Sequence, residues 1–391
     1  MEEKKLMSQE KKKIVKKDWV ANFTLIGKPV TNDYTFKINE RSENSNWIYN
    51  ALNLGVDCGE EHGTVYAELM GGYSESNENK IFAHGKKEDG SDDFDKQITV
   101  DWEDRFNDDV LKEVGDLSFI TVGLEKTDKG QTFYKKFLSA YDAIEYAKEH
   151  ITNEMVVNVR GNLKYSSYNG NTQVRKNITS IALSKADDTS KYAARFTQTI
   201  LIDKDSTSLK HIDKEKGVLN VDARVLDYVK EVNGIEVKGQ YPYTKQFEFK
   251  LDLENEKQCK TILDKLFKVK RDVTQITFEG EFIEGGAVVT ATWDDVPDDI
   301  KELVDMGVYT KEDALAKCTA NGSRERRMVL KKPVIKLVGD DDNKVPVVQK
   351  FEGRFKEEDL VLDYLYENKK EDQVELETAE EDDSMSWLAN L

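Results

Sequence analysis

Residues 155–184, MVVNVRGNLKYSSYNGNTQVRKNITSIALS, constrain this chain more than any other stretch. Val157, Val159 and Gly161 share one parity of a first run, and Val174, Ile178 and Ile181 mark a second. Between the runs lies Asn169-Gly170, and both residue types tolerate positive φ, which makes the pair a strong hairpin signal. The surrounding sequence repeats the theme. ANFTLIGKPV, YTFKI, GTVYAELMGGY and LSFITVGLE precede the hairpin as strand candidates, and YAARFTQTILI, GVLNVDARVLDYV, TKQFEFKLDL, VTQITFEGEF and AVVTATW follow it. Many short strands with few helices predict a β-rich α+β protein built around a small closed or half-closed barrel.

Two helices are expected among these strands. In TFYKKFLSAYDAIEYAKEHI, Phe137, Tyr141, Ile144 and Ala147 fall on one helical face, with Asp142 as an alternative cap. In ENEKQCKTILDKLFK, Cys259, Ile262, Leu263 and Leu266 form a stripe. Two further short helices are expected in residues 294–323, and one in EEDLVLDYLYE. The resulting division is a flexible basic arm (1–18), a β-rich N-terminal domain closed by a helix (19–151) and a central barrel (152–293). A C-terminal α+β subdomain (294–368) and a disordered acidic tail with an apolar tip (369–391) complete it. No internal repeat is evident, although both large domains open with β-rich hairpins.

Composition sets the outer limits. Of 391 residues, 38% are hydrophobic and 34% charged, with 16 Phe, 16 Tyr and 5 Trp, enough apolar mass for packed cores. The three cysteines, Cys58, Cys259 and Cys318, are far apart, so neither a disulfide framework nor a cysteine-based zinc site is expected. No apolar run is long enough to span a bilayer, and the lysine-rich start lacks the apolar stretch of a secretory leader. The expectation is a cytoplasmic protein that does not contact membrane.

The formal net charge is −18, which by itself argues against a polyanionic partner. The charge is uneven, however. Between residues 155 and 202 seven bases face two acids, and between 315 and 337 seven bases face one. A phosphate responds to local sign within a Debye length of about 8 Å, so a nucleic acid stays in view if the basic segments share a face. Enzymatic signatures are absent: no phosphate-binding GxxxxGK[ST], no GxGxxG after a strand, no GxSxG elbow. The four histidines are isolated, and the acids at 88–95 lack the order of a calcium loop. Neither a cofactor, a metal nor a catalytic residue is expected.

The strongest functional signal interleaves bases with rings. Lys164, Tyr165 and Tyr168 on one arm of the hairpin, and Arg175 and Lys176 on the other, together with Arg160, are expected to form a nucleic-acid surface. Tyrosines stack on unpaired bases and cations neutralise phosphates. Lys135 and Lys136 form a second basic set, and Arg324, Arg326 and Arg327 a third. At the other end, eight acids between Glu371 and Asp383 precede SMSWLANL, so Trp387, Leu388 and Leu391 are expected to anchor a partner protein.

The hairpin and the tail EEDDSMSWLANL resemble those of single-stranded DNA-binding proteins encoded by bacteriophages. The blocks WVANFTLIGKPVTNDYTFKI, VYAELMGGY and TFYKKFLSAYDAIEYAKEHI are similar to large uncharacterised proteins of phage replication modules. The resemblance implies that the barrel at 152–293 is of the oligonucleotide-binding (OB) fold and coats single-stranded DNA without strong sequence preference during replication or recombination, and that the tail recruits replication proteins. It places Lys164, Tyr165, Tyr168, Arg175 and Lys176 in the groove. Two alternatives stand beside it: a non-catalytic protein-binding module of a virion or host-interference system, and a metal-dependent nuclease using acids such as Asp101, Glu103 and Asp104. The oligomeric state, and the choice between DNA and RNA, are left open.

Overall fold

The computed structural model describes residues 13–43, 45–168, 170–207, 211–285, 325–339 and 344–362, with isolated positions between 288 and 321 and at 365. Alternating burial marks several of the longer strands. In β1 (Ala21–Val30), Phe23 and Leu25 point inward while Asn22 faces out. β2 (Phe36–Arg41), β3 (Trp47–Asp57) and β4 (Thr64–Ser74) follow as a meander. Residues 75–139 then leave the meander as an insertion. It carries the hairpin β5 (Lys80–Lys86) and β6 (Asp92–Asp101), helix α1 (Asp108–Glu113), and the pair β7 (Ile120–Lys126) and β8 (Thr132–Phe137). Val100, Val114, Phe119 and Leu138 give that insertion a small core of its own.

Helix α2 (Ala140–His150) starts where Ser139 accepts a hydrogen bond from the Tyr141 amide. The long hairpin of β9 (Val157–Tyr168) and β10 (Asn171–Leu183) closes with Tyr168 opposite Asn171 and Gly170 at φ +76°. Five strands then close a ring. β1 pairs with β3, β3 with β4, β4 with β10, β10 with β9, and β9 with β1. The β4–β10 contact is parallel and the others antiparallel.

The chain then repeats this plan. β11 (Ala193–Ile202), the short β12 (Ile212–Asp213), β13 (Val218–Val232) and β14 (Ile235–Lys250) lead into α3 (Glu256–Ile262). β15 (Val273–Gly285) returns, the short β16 (Val288–Val289) and β17 (Ala320–Asn321) pair with each other, and β18 (Glu325–Pro333) completes the set. Here β11 meets β13 at Leu201 and Arg224, β13 pairs with β14, β14 runs parallel to β18, β18 pairs with β15, and β15 with β11. The hairpin β19 (Ile335–Val338) and β20 (Val345–Val348) stands apart, and β21 (Lys350–Phe355) adds to the edge of β15.

Both rings therefore run first, second, third, fifth, fourth strand and back to the first, with a helix between the third and fourth strands. The two first strands, β1 and β11, pair side by side from Ala21–Gln198 to Ile26–Ala193, which makes the sheet continuous. One apolar cluster runs through both interiors, including Phe23 and Leu54 in the first and Phe247 and Phe278 in the second.

Several expectations change. A closed barrel is present, but it does not occupy 152–293. The boundary at 151/152 falls between α2 and β9, two parts of the first ring, and the boundary at 293/294 separates β15 from its partner β18. Residues 132–137 form a strand rather than the start of the helix, although Phe137 is buried as expected. The arm expected to be flexible is packed over its described part: Ile14 is buried with Leu201, Leu226 and Phe355, and the Lys17 carbonyl accepts from Gln275 Nε2 at 2.9 Å. Residues Glu357–Leu360 make one helical turn of the expected C-terminal helix. Most of the two helices expected in 294–323, and the acidic tail, lie outside the described residues. Among the described residues no helix is long and apolar enough to cross a membrane.

Candidate nucleic-acid interface

The outer face of the first ring carries a cleft of about 910 Å³. Its floor is β3, β4, β9 and β10, the turn after β1 forms one wall, and β13 of the second ring forms another. A second cleft of about 430 Å³ shares Tyr34, Asn53, Glu68 and Arg175 with it and runs on toward Arg326 of β18. Strand alternation explains what faces these spaces. In WIYNALNLGVD the residues Asn50, Leu52 and Leu54 point inward, leaving Tyr49, Ala51 and Asn53 outside. In TVYAELM the residues Val65, Ala67 and Leu69 point inward, leaving Tyr66, Glu68 and Met70 outside.

The aromatic character of the cleft comes from Tyr34, Tyr49, Tyr66 and Tyr228, with Tyr34 83% and Tyr228 52% exposed. Its exposed cations are Lys37, Lys164, Arg175 and Arg326. Two of these are partly neutralised: Lys164 Nζ lies 3.4 Å from Asp227, and Arg175 Nε lies 3.8 Å from Glu68. Asp227 also accepts from the amides of Tyr165 at 2.7 Å and Tyr228 at 2.8 Å. Buried on β13, it fastens the β9–β10 hairpin of one ring to the wall of the other. Lys16 approaches the same carboxylate at 3.8 Å, and burial outweighs that contact to hold its ammonium below the usual lysine range.

The predicted residues separate sharply. Lys164 and Arg175, opposite one another in the hairpin, both line the cleft, and Arg326 lines its extension. Tyr165 also borders the cleft but is only 4% exposed: its hydroxyl donates to Gln198 Oε1 at 2.8 Å, and burial raises its pKa. Lys176 is also buried, paired with Glu284 and seated 4.7 Å over the Phe282 ring. These two side chains tie the rings together; Lys176 and Glu284 border the smaller cleft as a buried, mutually neutralised pair. Tyr168 is exposed near the hairpin tip but lines neither cleft. Arg160 is exposed further along β9, with its Nε on Asn158 at 3.2 Å, also outside the clefts. Lys135 and Lys136 lie on β8, where Lys136 pairs with Asp116 at 3.1 Å and Lys135 covers the Tyr146 ring. Arg327 is held by Glu248 at 3.1 Å. Arg324, Trp387, Leu388 and Leu391 lie outside the described residues.

The reading from sequence missed Tyr34, Tyr49, Tyr66, Tyr228 and Lys37. For Tyr49 and Tyr66 the signal was available, since both alternate with apolar residues that must face a core. Among the described residues no group of three or more His, Cys, Asp or Glu side chains is placed to hold a metal.

A family model described as YorF matches residues 74–275, more than half of the chain. The chain belongs to the YorF family. The YorF match opens at the end of β4 and closes within β15, so it contains the whole β9–β10 hairpin and the β13 wall, while β1 and β3 precede it. No curated protein matches this YorF-family chain. Among solved structures, a deletion mutant of the single-stranded DNA binding protein from Thermus aquaticus is similar, with a TM-score of 0.30 and 10% identity over 68% of this chain and 87% of that one. The wild-type form of the same protein is similar at a TM-score of 0.30 and 9% identity, over 68% of this chain and 86% of that one.

Proposed function

We propose that this YorF-family protein binds single-stranded DNA along the outer face of its first barrel and performs no chemistry on it. The observation that carries the reading is the cleft itself: Tyr34, Tyr49, Tyr66 and Tyr228 beside Lys37, Lys164, Arg175 and Arg326. Surface rings, Tyr34 and Tyr228 exposed and Tyr49 and Tyr66 half-buried, suit unpaired bases, which present π faces that a duplex hides, and the cations suit the backbone. Connectivity supports the same reading. A five-stranded Greek-key barrel whose second and third strands, with the loops between strands one and two and between four and five, form one face is the oligonucleotide-binding arrangement. Here those parts are β3, β4, the turn after β1 and the β9–β10 hairpin.

The second ring supports the choice of the first. The position matching Asn162 of β9 is Glu281 of β15, and it is occupied by an ion pair with Lys331 at 2.8 Å. From the sequence resemblance we extend the proposal to a role in phage DNA replication or recombination, with the acidic segment 371–391 recruiting partner proteins through Trp387, Leu388 and Leu391.

The deciding experiment is a mobility shift with the full chain and a labelled single-stranded oligonucleotide of mixed sequence, with and without magnesium. Retention without cleavage is expected. Cleavage would favour the nuclease reading, and no retention at low salt would leave only a protein-binding module.

A further inference from the structure

Five outward positions line up across the first ring. Asn53 of β3 is opposite Glu68 of β4, Glu68 is opposite Asn177 of β10, Asn177 is opposite Asn162 of β9, and Asn162 is opposite Asn22 of β1. Directly paired residues share a face, and neighbouring strands lie about 4.8 Å apart. The four members from Asn53 to Asn162 therefore form a polar row about 14 Å long, and all four line the large cleft. Asn53, Asn162 and Asn177 are exposed, and among the described residues none of their side-chain amides makes a hydrogen bond to another protein group. Tyrosines stand beside the row, Tyr49 on β3 and Tyr66 on β4, while Arg175 lies two residues before Asn177.

We infer that this row reads the edges of the bases that the tyrosines stack, and gives the protein a preference for amino-bearing bases over thymine. This rests on the DNA-binding reading above. An asparagine amide offers both donor and acceptor, whereas an ionised glutamate only accepts. Glu68, at the centre of the row, suits the exocyclic amino group of cytosine or adenine. Thymine presents there a single N–H between two carbonyl oxygens, and those oxygens repel a carboxylate. A purely stacking surface would be indifferent to this difference, because every base has a π face. The preference concerns base type and not base order, since the row holds one carboxylate among like amides.

The test is fluorescence anisotropy with the full chain and 20-nucleotide dC and dT oligomers at pH 7.5, where cytosine is neutral. The wild-type protein is expected to bind dC about tenfold more tightly than dT, the scale of one well-formed edge contact. In Glu68→Gln that ratio should fall to within about twofold. Arg175 is released by the same change, but phosphate binding then shifts for both oligomers together and leaves the ratio intact. A wild-type ratio near one, or a tenfold ratio that persists in Glu68→Gln, overturns the inference. Failure of both oligomers to bind would instead overturn the DNA-binding reading itself. A thermal melt confirms that the variant is folded, and Glu68→Ala replaces it with the same expected fall in ratio if it is not.

Discussion

Phe23 of β1 lies directly opposite Gly161 of β9, and its ring fills the space where a side chain at 161 would begin. A Cβ built on Gly161 would sit 2.8 Å from Phe23 Cε1 and 1.9 Å from the Asn177 carbonyl oxygen. The second ring repeats the relationship. Phe196 of β11 is opposite Gly280 of β15, where a Cβ would meet Phe196 Cζ at 2.2 Å and the Val329 oxygen at 2.6 Å. In each ring the first strand supplies the ring, the fourth the glycine, and the fifth the carbonyl. Each glycine also adjoins a register shift against the fifth strand. Such bulges bend a sheet sharply enough to close it.

Gly161→Ala should accordingly destabilise the fold by about 2 kcal/mol or more, because the carbonyl contact can be relieved only by parting two paired strands. Adding Phe23→Leu should not rescue it, since the Asn177 oxygen remains. Urea denaturation measures both, with the exposed Ser167→Ala as a control near zero. A Gly161→Ala midpoint equal to wild type would refute the close approach.

The same residues show how much was legible beforehand. Strands and the hairpin were readable because alternation and Asn-Gly turns are local. The repeat was written more faintly: Ala21-Asn22-Phe23-Thr24 against Ala194-Arg195-Phe196-Thr197, and Arg160-Gly161-Asn162-Leu163 against Glu279-Gly280-Glu281-Phe282. A barrel interior asks only for apolar residues at alternate positions, so little else need be shared. The barrel was displaced because β1 pairs with β9 across more than a hundred residues, which no local pattern records. The site errors have a simpler cause. Lys164 and Tyr165 are adjacent in a strand, as are Arg175 and Lys176, so in each pair one side chain is exposed and the other turns into the interior. Base-and-ring composition does not separate the two parities.

Tyrosine substitutions should divide accordingly. Tyr34→Ala and Tyr228→Ala are expected to weaken single-stranded DNA binding by about 1 to 3 kcal/mol each, the usual value of a stacked base, with little change in unfolding. Tyr165→Ala should cost about 3 kcal/mol or more of stability, since it empties a buried aromatic site and unpairs Gln198 Oε1. Tyr168→Ala should change neither quantity appreciably. Anisotropy titrations paired with urea curves separate the classes. Loss of binding in a stable Tyr165→Ala protein would contradict the assignment.

Lys176 and Glu284 make a buried ion pair across the seam, between β10 and β15. Removing one partner leaves a buried charge without its counterion, so Lys176→Met should cost about 3 to 5 kcal/mol. Lys176→Met combined with Glu284→Leu should recover most of that loss, because two apolar side chains remove the unpaired charge as well as the pair. A double variant no more stable than the single one would show that the pair fixes the seam in some other way.

Alkaline pH should weaken the protein through Cys58. The thiol is buried in the β3–β4 turn, and burial pushes its pKa from 9.0 up to about 12. Below pH 9 the thiol is protonated both folded and unfolded and has no effect. Between pH 9 and 12 the unfolded thiol ionises while the folded one keeps its proton, so stability falls by as much as about 1.4 kcal/mol per pH unit. Cys58→Ala should flatten that part of the profile. Urea midpoints at pH 8, 9, 10 and 10.5 provide the comparison, and identical slopes in the two proteins would exclude Cys58 as the source.

Salt dependence tests how the cleft holds a backbone. Four exposed cations line the two clefts, beside the buried Lys176, but Lys164 and Arg175 already face Asp227 and Glu68. Each fully engaged cation contributes about −0.7 to the slope of log affinity against log salt for a single strand. Two to four contacts therefore give a slope of about −1.4 to −2.8, shallow because stacking carries much of the binding. Arg326→Ala should reduce the slope by about 0.7 without altering the preference between oligomers. Removing residues 371–391 deletes eight acids and no base, so affinity should rise at low salt and converge with wild type as screening shortens the reach of those charges. A steeper wild-type slope would mean that cations outside the cleft take the phosphates. An unchanged affinity after the deletion would mean that the acidic segment does not compete for them.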